Sequence, residues 1–392
     1  MTGRAFLPYG RQTVDDDDIR AVVEVLRSDW LTQGPVVERF ERSLADLCEA
    51  EHAVAVSSGT AALHLAALAA GFGPGDVVIT TPLTFVATAN SVLYVGAEPR
   101  FADVDPETLN LDPSALERVL DDPARSGRVR GVVPVHFGGL PADLERIGAA
   151  ARDRGLVVIE DASHALGAAW RDGDRRWHPV GCCARSDMTT FSFHPVKHMT
   201  TGEGGAVLTN RSDLADRLRR LRTHGIERDP SRLGRADGPW SYEMQELGFN
   251  YRITDFQCAL GLAQLGRLEV WLDRRAALVA RYRAAFASEP RVRSVTVPSW
   301  ARPAWHLFTV ELPARDAAYR RLRERGIGVQ VHYLPVHLHP YYRKLLGTRE
   351  GDFPAAEAYY RRALSLPLFP ALADADADRV IEEVLAAVRE TA

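Results

Sequence analysis

The chain is poor in cysteine, in long apolar runs and in net charge, and each shortage excludes a class of protein. Four cysteines in 392 residues, Cys48, Cys182, Cys183 and Cys258, have neither the paired spacing of a zinc site nor the density of a disulfide scaffold. They fit a reducing compartment, so a cytoplasmic location is expected. No stretch of about 20 uninterrupted apolar residues occurs, and the first residues, MTGRAFLPYGRQTVDDDDIRAVV, are polar and acidic where a signal peptide needs an apolar core. A soluble protein that does not bind membranes is expected. A formal net charge of −4 and a pI near 6.3 give no global electrostatic reason to bind nucleic acid. Internal repeats and low-complexity segments are lacking too, although 226–240, IERDPSRLGRADGPW, reads as a polar loop that is expected to be mobile.

What is present is enough apolar material for a large core: 46% of residues are hydrophobic and 26% charged, over a length that suggests two domains. Short β-branched runs alternate with longer helical patterns through the first two thirds, as in HAVAVSS, TAALHLAALAAG, DVVITT, FVATANSVLYVG and PRFADVD. That alternation implies crossover connections and a mainly parallel sheet covered by helices. Further strands are expected in VRGVVPVHF, GLVVIEDAS, DMTTFSFH and GGAVLTN. From ITDFQCALGLAQL onward the pattern becomes a long helix or a helix pair. Beyond it, HLFTVELP and GVQVHYLP read as strands, RDAAYRRLRERG as a helix, and a last helix is expected from about Asp378. The expected division is a large α/β domain over 1–255, with an interdomain helix and a smaller α/β domain over 256–392.

Three places carry chemistry. Lys197, in FSFHPVKHMTTGEGGAVLTN, follows a strand and precedes a glycine-rich turn, at the edge where ligands collect in open α/β sheets. A lysine alone is more often a solvated surface group. Asp161 ends the apolar strand LVVIED, where a carboxylate needs a cation or hydrogen-bond donors. A helix cap or a magnesium ligand would also account for it. Ser58, Gly59 and Thr60 turn a strand directly into a helix, leaving amide groups free for a phosphate or simply capping that helix.

One cofactor, pyridoxal 5′-phosphate, accounts for all three. It needs a lysine for covalent attachment, an acid at the pyridine nitrogen and a phosphate cup. Ser192, five residues before the lysine, adds a hydroxyl to the cup. Phe85 either stacks on the ring or fills the core. His332, His337 and His339 imitate metal-ligand spacing, but no acidic or cysteine ligand accompanies them, and no metal is expected.

The segments EDASHALGA, FSFHPVKHMTTGEGGAVLTN and LGFNYRITDFQCALGLAQL resemble the signature segments of the DegT/StrS family of sugar aminotransferases, which have the aspartate-aminotransferase fold (fold type I of pyridoxal-phosphate enzymes). The resemblance spans nearly the whole chain. It implies Lys197 as the lysine that carries the cofactor and Asp161 at the pyridine nitrogen. It also implies Gly59, Thr60 and Ser192 around the phosphate, His164 beside the ring, and Asn250 reaching the phosphate from a partner subunit in a homodimer with shared active sites. Within the family, segments such as YGRQTVDDDDIRAVVEVLRSDWLTQGPVVERFE, VQVHYLPVHLHPYY and ALSLPLFP resemble most the members that aminate C4 of a UDP-linked 4-keto-6-deoxy-N-acetyl sugar on the way to pseudaminic acid. That likeness implies L-glutamate as donor and a nucleotide-sugar site lined by Tyr9, by Asp29, Trp30, Leu31 and Thr32, and by Gln330, Val331, His332 and Tyr333. The alternatives are an aminotransferase for another nucleotide-linked keto sugar, a non-catalytic regulator that keeps the fold, and a sugar dehydratase. In dehydratases of this family a histidine replaces the lysine, and here His198 stands directly after Lys197.

Overall fold

The computed structural model describes residues 5–122, 129–235 and 237–390. Among the described residues nine strands lie before residue 210: β1 (His52–Val56), β2 (Val77–Thr80), β3 (Glu98–Phe101), β4 (Val129–Val133), β5 (Val157–Asp161), β6 (Ala169–Arg171), β7 (Trp177–Pro179), β8 (Met188–Ser192) and β9 (Gly205–Thr209). Seven of them form one sheet in the order β1-β9-β8-β5-β4-β2-β3. The pairs from β8 across to β3 are parallel, and β9 alone is reversed against both its neighbours. The α/β class with a mainly parallel sheet, expected from the alternating pattern, is the fold observed. Strands such as β2 (VVIT) and β9 (GAVLT) are buried at every position, as continuous apolar runs require when helices cover both faces. β1 and β8 both oppose β9, so they point the same way, and the C-terminal ends of β1, β5 and β8 share one edge.

Among the covering helices are α1 (Asp16–Leu26), α2 (Pro35–Cys48), α3 (Gly59–Ala69) and α4 (Val86–Tyr94). α3, GTAALHLAALA, is apolar on all sides and correspondingly buried on all sides. Next, the long helical pattern resolves into a pair, Asp255–Leu265 and Leu268–Phe286, broken at Gly266 and Arg267. Thr254 is the N-cap of the first of these, in a capping box with Gln257, so Asn250 does not cap it.

The C-terminal part has its own apolar cluster, including Leu278, Tyr282, Phe308, Leu364 and Val380, which Leu7 from the chain start joins. Two expectations are corrected there. GVQVHYLP is not a strand: Ile327, just before it, bridges Leu7, and within it only Gln330 is bridged, to Ser365, after which the chain diverges from the Ala363–Leu366 strand and brings His332 and Tyr333 to a cavity. The last helix begins at Asp374, not Asp378, because its acidic first turn complements the helix dipole before the apolar spacing becomes visible. Finally, the polar stretch 226–240 is held at its base by a two-residue ladder, Ile226–Glu227 against Glu243–Met244.

Candidate active site

Where β1, β5 and β8 end, the chain encloses a cavity of about 380 Å³. Eleven of the residues singled out from sequence line it: Tyr9, Ser58, Gly59, Thr60, Phe85, Asp161, His164, Ser192, Lys197, His332 and Tyr333. β5 delivers Asp161 at its last position. β8 delivers Ser192, and the turn after it carries Lys197. α3 starts with Gly59 and Thr60 directly after β1. A more polar hollow of about 480 Å³ lies against α2, but it contains none of these groups, and its Arg222 is already bonded to Glu41 and to the Ala55 carbonyl.

Asp161 is 5% exposed and held by three donors. Oδ2 accepts from Thr88 Oγ1 at 2.6 Å, while Oδ1 accepts from Ser163 N at 3.1 Å and Ser163 Oγ at 2.6 Å. The single Thr88 hydrogen is spent on the carboxylate, so in the 2.7 Å Thr84–Thr88 contact Thr84 donates. Across the cavity the Lys197 amine makes no hydrogen bond or ion pair among the described residues. Removal from water pulls its pKa down to about 8, against the opposing pull of the Asp161 charge.

The turn from β1 into α3 is built around a close approach. Ser58 caps α3 by accepting from Ala61 N, and the next amides, at the open N-terminal end of the helix, have no intrahelical partner. A Cβ on Gly59 would stand 2.7 Å from Ser192 Cβ, so only glycine lets the helix end and the Ser192 hydroxyl converge on one point. Free amides, a hydroxyl and a helix dipole suit a phosphate, an unpartnered amine of lowered pKa suits an aldehyde, and a fixed buried carboxylate suits a protonated ring nitrogen. The residues therefore fit pyridoxal phosphate.

Phe85, the N-cap of α4, is 55% exposed, so it is a rim residue and not core. His198, in contrast to Lys197, is buried and turned away from the cavity, its Nε2 donating to the Ala304 carbonyl at 3.2 Å. His332 Nδ1 pairs with Ser365 Oγ and His337 Nε2 with Glu357 Oε1, and among the described residues no cluster of metal-ligating side chains occurs. A single subunit does not bring Asn250, Asp29, Trp30, Leu31, Thr32, Gln330 or Val331 to the cavity wall. Asn250 is exposed in a strand bridge to Thr223. Asp29 to Thr32 are exposed beside the start of the Asp255–Leu265 helix, where Leu31 O accepts from Asp255 N.

The model of the DegT/DnrJ/EryC1/StrS aminotransferase family matches residues 12–385. The chain belongs to this family. As a DegT-family sugar aminotransferase it uses pyridoxal phosphate. It is 43% identical over 386 residues to the spore coat polysaccharide biosynthesis protein SpsC of Bacillus subtilis, covering 97% of this chain and 96% of that one. Its fold matches PseC of Helicobacter pylori, an aminotransferase involved in the biosynthesis of pseudoaminic acid, with a TM-score of 0.88 and 29% identity, over 98% of this chain and 100% of that one. It likewise matches Spr1654 of Streptococcus pneumoniae in its PMP form, with a TM-score of 0.89 and 27% identity, over 98% and 100% of the two chains, and that protein is also solved in a PLP form.

Sequence reasoning missed the supports of this DegT-family site. Thr88 and Ser163, the donors to Asp161, look like ordinary small residues in FVATANSV and EDASHAL. His306, buried 4.5 Å from the His164 ring, carried no motif at all. One available signal was composition: Lys197 and Lys344 are the only lysines among 48 basic residues, so a lysine at a strand end in this chain is not an interchangeable surface cation.

Proposed function

We propose that the protein aminates C4 of a UDP-linked 4-keto-6-deoxy-N-acetylhexose, with L-glutamate as amino donor, in pseudaminic acid biosynthesis. The observation that carries the reaction type is the unpartnered Lys197 amine facing the triply bonded Asp161 carboxylate across one cavity. The likeness to PseC supports the choice of sugar. Pyridoxal phosphate, when bound, supplies an electron-withdrawing ring that stabilises the carbanion at the nitrogen-bearing carbon. Asp161 is the residue that holds the ring nitrogen's proton, while Thr88 and Ser163 hold Asp161. Gly59, Thr60 and Ser192 bind the phosphate. Lys197, with its pKa near 8, is neutral often enough at physiological pH to take the proton from the substrate carbon and return it. Tyr9, His332 and Tyr333 close the sugar side, where Tyr9 and His332 rings lie 5.5 Å apart.

Among the described residues of one subunit no arginine lines this cavity, which supports a second subunit as the source of cations for phosphates and carboxylates. Exposed Trp30, Phe85, Trp240 and Leu247 provide apolar surface for such a homodimer. A second reading, another nucleotide-linked keto sugar, draws on the higher identity to SpsC, whose name refers to a spore coat polysaccharide. Purified protein incubated with glutamate and a panel of UDP-, dTDP- and GDP-linked 4-keto sugars, with product analysis by mass spectrometry and NMR, decides between them. Preferential conversion of the UDP-linked N-acetyl sugar is expected. Preferential turnover of another keto sugar supports the second reading, and no turnover of any removes both.

A further inference from the structure

We propose that Tyr333 is a ligand-binding donor whose hydroxyl hydrogen is turned into the cavity by a hydrogen-bond chain that starts at the Gly138 amide and passes through His164. Only the identity of its acceptor rests on the aminotransferase reading. Gly138 N donates to His164 Nδ1 at 3.3 Å, and His164 Nε2 stands 3.3 Å from the Tyr333 hydroxyl oxygen. An amide can only donate, so Nδ1 is the lone-pair nitrogen and a neutral ring must carry its hydrogen on Nε2. That hydrogen points at Tyr333. The phenol oxygen accepts it, and the phenol's own hydrogen is left for something else. No other hydrogen bond of this hydroxyl occurs among the described residues, and both Tyr333 and His164 line the cavity.

The first link of the chain is fixed by the backbone. Gly138 and Gly139 both have positive φ, 63° and 96°, a conformation that favours glycine. A Cβ on Gly139 would lie 2.8 Å from the His164 carbonyl oxygen and from Trp305 N. The turn is gripped from the C-terminal side, since Ala304 N donates to Gly139 O at 3.0 Å and Leu307 N to Gly138 O at 3.1 Å. His306 then packs its ring 4.5 Å from that of His164, and its own Nδ1 is buried without a partner, so it acts as a buttress and not as a link. Burial, followed by the charges of Lys197, His332 and His198, holds the His164 pKa well below the ordinary value, and burial likewise raises that of Tyr333. Both groups are therefore neutral at physiological pH, as the chain of donors requires.

The hydroxyl takes an oxygen acceptor on the bound ligand. Two sources share that chemistry, the ring oxygen of the cofactor and the carbonyl oxygen of the keto sugar. The direct test of the chain uses the apoprotein with 15N-labelled histidine, His164 being assigned by the signal lost in His164→Gln. Long-range 1H–15N correlation at pH 7 is expected to give a pyridine-type Nδ1 and a pyrrole-type Nε2. The opposite tautomer, or a doubly protonated ring, overturns the proposal. Tyr333→Phe in the holoprotein then locates the acceptor, with an expected weakening of about tenfold for one hydrogen bond. A raised KM for the keto sugar with an unchanged cofactor spectrum identifies the sugar. A shifted pH midpoint of the cofactor's visible band with weaker cofactor retention identifies the ring oxygen. If neither measurement moves, Tyr333 donates to no ligand and the proposal falls. Absence of turnover on every keto sugar by the parent protein would remove the functional reading but leave the tautomer and the spectral titration readable.

Discussion

Lys197 is the residue on which the proposed chemistry rests, and the scarcity of lysine makes it measurable. With only Lys344 as a second lysine, exposed near the C-terminal side, a pulse of amine-acylating reagent followed by peptide mass spectrometry reports Lys197 individually. In the apoprotein its labelling is expected to rise with pH around a midpoint near 8, whereas a midpoint near the ordinary lysine value of about 10.4 would mean that the amine is not desolvated. The sign for stability follows from the same shift. Between about pH 8 and 10.4 the unfolded chain binds the proton that the folded chain has lost, so the destabilisation caused by Lys197 is full below that window and fades as pH rises through it. Around Asp161 the sequence was legible only in part. An acidic residue closing LVVIED announces a buried carboxylate, but hydroxyl donors inside an apolar helix look like small core residues, because nothing local says which side chain they reach. Thr88→Val keeps the shape and removes the bond to Asp161 Oδ2. A loss of about 1–3 kcal/mol in urea unfolding is expected for a buried acceptor left short of one donor, and an unchanged midpoint would show that Asp161 does not depend on it.

At the scale of elements, strand positions were readable because both-side burial demands uninterrupted β-branched runs, and helix positions because of their apolar spacing. Turn chemistry was readable where it is local, as in the Ser58 cap. What local patterns cannot encode is the approach of one element to another. Gly59 illustrates this: its need for a bare Cα comes from Ser192, which is distant in sequence and meets it only when α3 starts beside the end of β8. Gly59→Ala is expected to force the two apart at a cost of about 1–3 kcal/mol, read as cofactor affinity weakened roughly tenfold or more in equilibrium dialysis. Adding Ser192→Gly removes the opposing Cβ and is expected to recover part of the loss, after allowing for the missing hydroxyl. If the double variant binds no better than Gly59→Ala, the close contact is not what matters. GVQVHYLP shows the converse error, since a strand-like pattern ended as extended chain once its neighbour's pairing edge was used at Gln330 alone.

The whole molecule raises the question of Asn250. Family resemblance implies that it reaches a partner's phosphate cup, and the simplest alternative, a helix cap, is taken by Thr254. Within one subunit Asn250 is exposed and outside the cavity wall. Its neighbour Tyr251 receives the Ser57 amide at the end of β1, so the segment itself is fixed while its asparagine side chain remains outside. A shared site predicts complementation. Lys197→Ala protein, expected to lose at least about a thousandfold in activity through loss of both anchor and base, is mixed with a strongly impaired Asn250 variant under conditions that exchange subunits. In each mixed dimer one site then carries both lesions and the other carries neither. Equal, random mixing makes half the dimers mixed, each with one of its two sites restored, so recovery of roughly a quarter of the parent activity is expected on two-fold counting. If Asn250 served its own chain, every site would keep one lesion and mixing would restore nothing. Native mass spectrometry of isotope-labelled subunits verifies the exchange, so a flat activity profile over verified mixed dimers would place Asn250 outside the partner's site while leaving the assignment of Lys197 intact.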